Sequence, residues 1–304
     1  MEVTAFAQTH VPRITFEDTN IVGNVYFLAF FRWQVECRDQ WLRRTYPERW
    51  RDICSDALHA LQAQWEMRFE DSFGATIGEE VQLEAQFSLD SDSRICTTTQ
   101  ISKNCVGGRR RIASGAMRFL TACELDQKRT YHPAGSCYSF ASTLPGFRQG
   151  WSPLDFLGLQ GKCRELFLED HAANTLASVA RGELILQTSD ASFSLLDEQP
   201  SATDHVRVEM RLEALKCGQM GVRFDYFIEH RFGTACRFAE GYQRMSTKRR
   251  REGSPAPCPV PPELLLALRE FAASEQLLGK IEDVLTFVNA QQRSAAGELA
   301  QLDE

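Results

Sequence analysis

The chain has 304 residues, 43% of them hydrophobic, and carries 34 Lys and Arg against 41 Asp and Glu, for a net charge of −7. That length suits two domains of ordinary size, each with a real core. The acidic balance argues against nucleic acid as a principal partner, because phosphate backbones call for a basic surface.

The first residues, MEVTAFAQTHVPR, lack the basic start and apolar run of a signal peptide. No apolar run approaches the roughly 20 residues that span a bilayer. A cytoplasmic protein without a membrane partner is expected. Next comes FEDTNIVGNVYFLAFFRWQVECRDQWL, residues 16–42. A polar turn opens into an aromatic run that predicts a helix over about 25–44. Asp18, Thr19 and Asn20 form a natural N-cap cluster, and Gly23 permits a tight turn and close backbone approach. Free N–H groups near Asn24, Val25 and Tyr26 would face outward at the helix start. Arg38 is out of place on a helix that is apolar nearly all round. A guanidinium stays ionised and needs partners. Either it pairs with Glu36, Asp39 or a strand carboxylate, or it does chemistry.

Further on, Val81-Gln82-Leu83-Glu84-Ala85-Gln86-Phe87 alternates at period 2, the mark of a half-buried strand. Strands follow at about 94–103 and 109–121, with Gly107-Gly108 as the hairpin turn. A second aromatic helix is expected over about 154–169. Val206 to Leu212 then alternates, and strands at about 219–229 and 234–246 are joined by Phe232-Gly233.

The second series repeats the first. QVECRDQWL (34–42) matches QGKCRELFL (160–168) at Gln34/Gln160, Cys37/Cys163, Arg38/Arg164 and Leu42/Leu168, each 126 apart. Gly115 and Gly241 share that offset, and 79–89 resembles 204–214 at an offset near 125. Constant spacing predicts a duplicated α+β unit of about 125 residues, each with an antiparallel sheet wrapped around its helix. After it, GSPAPCPVPP (253–262) reads as an extended linker. A helical tail follows, striped by Leu264, Leu265, Leu268, Phe271, Leu277, Leu278, Ile281, Leu285 and Val288. That stripe packs on its own sheet edge or docks on another chain. The run Lys248-Arg249-Arg250-Arg251 reads as a solvated flank of the linker. The ten cysteines form no CxxC pair and show no zinc spacing, so free buried thiols are expected and no metal or cofactor is implied. No His sits beside a nucleophile, and there is no GxSxG elbow and no phosphate-binding glycine loop.

Residues 16–42 resemble the signature of hotdog-fold thioesterases of the 4-hydroxybenzoyl-CoA type, and look most like the enediyne-type polyketide thioesterases. The resemblance rests on Thr19-Asn20-Ile21-Val22-Gly23-Asn24-Val25-Tyr26 and Arg32-Trp33-Gln34-Val35-Glu36-Cys37-Arg38, and extends over about residues 10–247. It implies a tandem double hotdog, with residues 1–140 as the first hotdog, 141–250 as the second and 251–304 as linker and tail. It also implies hydrolysis of a (β-keto)acyl thioester, releasing a polyketide or polyene chain from an acyl carrier protein. Decarboxylation of the freed acid could follow, and a polyketide synthase would be the associated machinery. An acyl-CoA thioesterase of general metabolism and a non-catalytic acyl-binding module are the alternatives, and association of two double hotdogs into a homodimer stays open. Asn20 and Arg38 are implied as catalytic. Thr19, Gly23, Asn24, Val25, Tyr26 and Arg164 are implied as substrate-binding. Position 146 is Gly where the repeat would need a second Asn, so one competent and one degenerate site are expected. Asn cannot serve as a strong base, but it can orient water.

Overall fold

The structure is a computed structural model, and it describes residues 6–14, 25–45, 47–48, 62–70, 75, 78–89, 95–119, 136–142, 151, 153–197, 200–201, 203–229, 235–250 and 255–300. The strands are β1 (Phe6–His10), β2 (Gln62–Phe69), β3 (Val81–Leu89), β4 (Ile95–Cys105), β5 (Gly108–Phe119), β6 (Tyr138–Ser142), β7 (Leu184–Leu195), β8 (His205–Lys216), β9 (Gln219–Glu229), β10 (Ala235–Arg250) and β11 (Pro255–Pro257). The helices are α1 (Phe27–Thr45), α2 (Pro153–His171), α3 (Ala173–Ala180), α4 (Pro262–Arg269) and α5 (Glu275–Ala300).

One antiparallel sheet runs through the chain in the order β1-β3-β4-β5-β2-β7-β10-β9-β8-β6, with β11 added beside β10. Read from each outer edge inward, the two halves have the same order: β1-β3-β4-β5-β2 and β6-β8-β9-β10-β7. The register repeats as well. Met67 lies opposite Gly115, and Phe193 opposite Gly241, so both members of this pair are displaced by 126. The long helices also match at that offset, since 27–45 maps onto 153–171.

Helix α1 forms because Phe27, Phe30, Phe31, Gln34, Cys37, Arg38, Trp41 and Leu42 recur at three- and four-residue spacing, giving one buried face. Phe31 stacks on Trp65 of β2 at 5.6 Å, and Trp41 on Phe87 of β3 at 4.5 Å. In the second half Phe156 stacks on Phe193 of β7 at 5.3 Å. Each helix is also pinned by a buried glutamine. Gln34 donates to Thr99 Oγ1 at 2.9 Å, and Gln160 donates to the Ser192 carbonyl at 3.0 Å.

Several sequence expectations change. The predicted strands and both helices are present, and Gly107 and Gly108 turn the β4–β5 hairpin with φ of 102° and 128°. Phe232-Gly233 lies outside the described residues. Strands β2 and β7 go beyond the sequence reading. Trp65, Met67 and Phe69 do alternate with polar residues, but β7 carries Thr188, Ser189, Asp190, Ser192 and Ser194 at its centre and gives only a weak strand signal. The expected boundary at 140/141 falls inside β6, which pairs with β8 and so belongs with the second half. Residues 255–257 are a short strand rather than plain linker. Helix α1 starts at Phe27, with the described Val25 and Tyr26 outside it. The cap position therefore falls at Tyr26, whose carbonyl accepts from the Ala29 N–H at 3.0 Å, and not at Asp18, Thr19 or Asn20.

The tail packs on its own chain. Leu264, Leu265, Leu268, Phe271, Leu277, Ile281, Leu285 and Val288 are buried. Residues 271–273 run beside β8, with hydrogen bonds from Leu212 N to Phe271 O and from Ala273 N to Leu212 O. Helix α3 has no side-chain cap of its own. The Glu263 carboxylate from α4 fills that role: it accepts from the Asn174 and Thr175 backbone N–H groups and from both side chains at 2.7–3.3 Å. Burial alone would raise the Glu263 carboxyl, but the hydrogen bonds from Thr175 and then Asn174 hold it below its ordinary value. A depressed carboxyl stabilises the fold above its unfolded pKa, and that contribution fades as pH falls through the folded one. Glu263→Ala should cost about 1–2 kcal/mol in urea unfolding at pH 7. The gap from wild type should close at pH values below about 4.

Candidate active site

Asp18, Thr19, Asn20, Gly23 and Asn24 lie outside the described residues. The chain becomes described at Val25, which is buried, and Tyr26, which is half-buried at the start of α1. From there Tyr26 reaches across to the other half. Its hydroxyl lies against α2 at Gly161, where a Cβ would overlap it, and Leu28 sits 3.8 Å from a Cβ at Gly158. Gly158 and Gly161 are one turn apart, so α2 presents a bare backbone strip to the first half. Their counterparts at 32 and 35 are Arg and Val, so α1 carries no matching pair of glycines.

Arg164 lies one turn beyond Gly161. Its Nη1 donates to Thr188 Oγ1 at 3.2 Å and Gln243 Oε1 at 3.3 Å, and lies 3.6 Å from the Met245 sulfur. Among the described residues Nε and Nη2 of Arg164 take no hydrogen-bond partner. A buried relay holds this geometry. The Gln243 amide donates to Gln160 Oε1 at 3.0 Å, and Gln160 donates in turn to β7. Burial raises the Tyr26 hydroxyl pKa, the positive charge of Arg164 pulls it down and the negative charge of Glu165 pushes it up. The net rise keeps the phenol protonated, hence a hydrogen-bond donor, at neutral pH.

Arg38 has a different environment. It is 7% exposed, and its Nε and Nη2 both engage Asp39 Oδ1, at 2.8 and 2.7 Å. Asp39 is one of the carboxylates that the sequence offers as a pairing partner. Arg38 also lies twelve residues beyond Tyr26, about 18 Å along α1. Glu36, another carboxylate that the sequence offers to Arg38, faces Arg32 at 3.8 Å on the helix surface. Thus the structure brings together Tyr26 and Arg164, from opposite halves, and leaves Arg38 apart from them. Gly161, Gln160 and Gln243 were not singled out as functional by sequence. Gln160 was visible only as the repeat partner of Gln34.

No disulfide joins the described cysteines. Burial pushes the Cys37 thiol up to about 12 and raises that of Cys163, as expected of small buried hydrophobes. Among the described residues no group of three or more His, Cys, Asp or Glu could hold a metal ion, and no helix is long and apolar enough to cross a membrane.

No family model and no curated protein matches the sequence. Solved structures do. The dynemicin thioesterase, described with polyene bound, is 31% identical, with 99% of that chain and 46% of this one covered, at a TM-score of 0.42. A protein assigned as an oleoyl thioesterase from Lactobacillus plantarum is 10% identical at a TM-score of 0.55, covering 80% of this chain and 97% of that one. The 12:0-ACP thioesterase from Umbellularia californica is 8% identical at a TM-score of 0.50, covering 80% and 97% in the case of the preceding protein and 80% and 94% here. The last two likenesses concern the fold; the first is close enough in sequence to carry family membership.

The Tyr26–Gly161 contact is directly testable. Gly161→Ala should destabilise the protein by about 1–3 kcal/mol through overpacking. The same change in a Tyr26→Phe background should cost less, because the overlapping hydroxyl is gone, and a double-mutant cycle by urea unfolding measures the coupling.

Proposed function

Since this chain belongs to the hotdog-fold thioesterases and is a thioester hydrolase, we propose that it is a tandem double hotdog that hydrolyses a (β-keto)acyl thioester at one composite site. The loop bearing Asn20 and Tyr26 comes from the first half, and Arg164 from the second. The observation that carries this reading is the approach of Tyr26 to α2, with two Arg164 nitrogens uncommitted beside it. The repeated strand order supports the double hotdog. The loss of Asn at position 146 supports one competent site, which leaves Arg38 with the degenerate one.

In this reading a water molecule adds to the thioester carbonyl, and the carbonyl oxygen becomes an oxyanion. Arg164 Nε or Nη2 stabilises that charge, and the protonated Tyr26 hydroxyl donates a second hydrogen bond. The Asn20 amide orients the water, whose proton passes to the departing thiolate as the C–S bond breaks. The products are a carboxylic acid and a free thiol. A β-keto group activates the carbonyl toward attack and offers Arg164 a second oxygen. The freed β-keto acid can then lose CO2. Likeness to the dynemicin thioesterase supports a polyene-like polyketide chain delivered on an acyl carrier protein, with Thr19, Gly23, Asn24 and Val25 shaping the loop around it.

The test is single-turnover hydrolysis of β-ketoacyl and plain acyl thioesters of equal length, with mass analysis of products. Arg164→Ala and Asn20→Ala should each lower the rate about 10²–10³-fold. Arg38→Ala should cost far less, and the β-ketoacyl substrate should be preferred. An inactive Arg38→Ala beside an active Arg164→Ala would show that the arginine has been assigned to the wrong half.

A further inference from the structure

We propose that a basic groove beside α3, at the paired ends of β7 and β10, binds the phosphate end of the arm that carries the thioester. This rests on the thioesterase reading and adds the site that holds the non-reacting end of the substrate.

Strand β10 has 16 residues where its counterpart β5 has 12. The extra length ends in Arg249 and Arg250. This end is clamped on both sides, by Leu184 of β7 opposite Arg249, and by β11, where Ala256 and Pro255 pair with Arg249 and Arg250. Both arginines are exposed, and neither makes an ion pair among the described residues. They line a cavity of about 880 Å³, together with α3 and with Pro261 and Pro262. A second cavity of about 770 Å³ shares Leu184, Arg249 and the same prolines.

The acidic side chains of the groove do not neutralise these two charges. Glu183 is held by Arg181 through bonds of 2.7 and 2.9 Å. Glu263 is consumed by the start of α3. Among the described residues the groove thus holds two guanidiniums without an ion pair beside Pro261 and Pro262, in a chain of net charge −7. Guanidinium pairs of this kind suit phosphate oxygens. A solvated linker flank, the sequence reading of this run, would need neither the clamp nor the cavity.

The groove is also in the right place. Leu184 and Thr188 point to one face of β7, and Arg249 and Met245 to one face of β10. Thr188 and Met245 are the side chains that Arg164 touches. Arg164 and the Arg249 side of the groove thus lie on one side of the sheet, with Thr188 and Leu184 four strand residues or about 13 Å apart along β7. Pantetheine arms carry a thiol at one end and a phosphate at the other. Coenzyme A and carrier proteins share that chemistry.

The test compares wild type with the Arg249→Ala/Arg250→Ala double variant on one acyl chain presented three ways: on coenzyme A, on a holo carrier protein, and on N-acetylcysteamine, which has no phosphate. KM for the phosphate-bearing substrates should rise about tenfold or more, with kcat kept. The N-acetylcysteamine thioester should be unaffected. Calorimetric titration with coenzyme A, which needs no turnover, should show binding to wild type that the variant and high salt weaken. An effect on both carriers, or on coenzyme A alone, supports the site; the second result assigns it to the nucleotide phosphates. Equal losses on all three substrates, no loss on any, or a loss confined to the carrier protein would overturn it. The last would point to contact with an acidic protein surface. Wild type that binds coenzyme A but hydrolyses no thioester would sink the hydrolase reading and leave the groove standing.

Discussion

The antiparallel pairing of β2 with β7 is the constraint on which the rest depends. It sets Trp65 opposite Phe193, with Glu66 opposite Ser192 and Gln64 opposite Ser194 on either side. Phe31 of α1 stacks on the first of those rings and Phe156 of α2 on the second. Four aromatic side chains therefore link the two helices through the middle of a single sheet. Each such contact adds about 0.5–1.5 kcal/mol beyond its buried area. Without this seam the halves would each be a small sheet with an open, unpaired edge strand.

The seam also explains why a duplicated chain has become asymmetric. Two equal units joined this way present two equivalent clefts between the helices. In one, Tyr26 lies against Gly161. In the other, position 152 is Ser, and Arg32 and Val35 stand where the glycines would be. The sequence carries Thr19-Asn20 in the first half only, and the Gly158/Gly161 strip in the second only.

The outer parts of the second half extend this asymmetry. The long end of β10, the β11 clamp and the α4–α5 tail have no counterpart in the described first half. They brace one another: Glu263 caps α3, Thr247 Oγ1 donates to the Gly218 and Cys258 carbonyls, and residues 271–273 extend the edge of β8. The result is a rigid rim beyond Arg164.

Much of this was legible in the sequence because it is local. Periodicity at 27–45 and 81–89 marks a helix and a strand, Gly107-Gly108 marks a turn, and a constant offset of 126 marks the repeat without any structural information. The pair Arg38 and Arg164 was visible in the same way, as a charge recurring on two greasy helices. Which of them lies near Tyr26 was not, because both occupy the same position in the repeat and local pattern treats them alike. Only tertiary structure separates them. Pairing of β2 with β7 sets α1 beside α2, so that Tyr26 meets the helix of the other half while Arg38 is carried about 18 Å away and bound to Asp39. Strand pairing across more than a hundred residues leaves no mark in either strand alone, and that pairing decides which side chains Tyr26 meets.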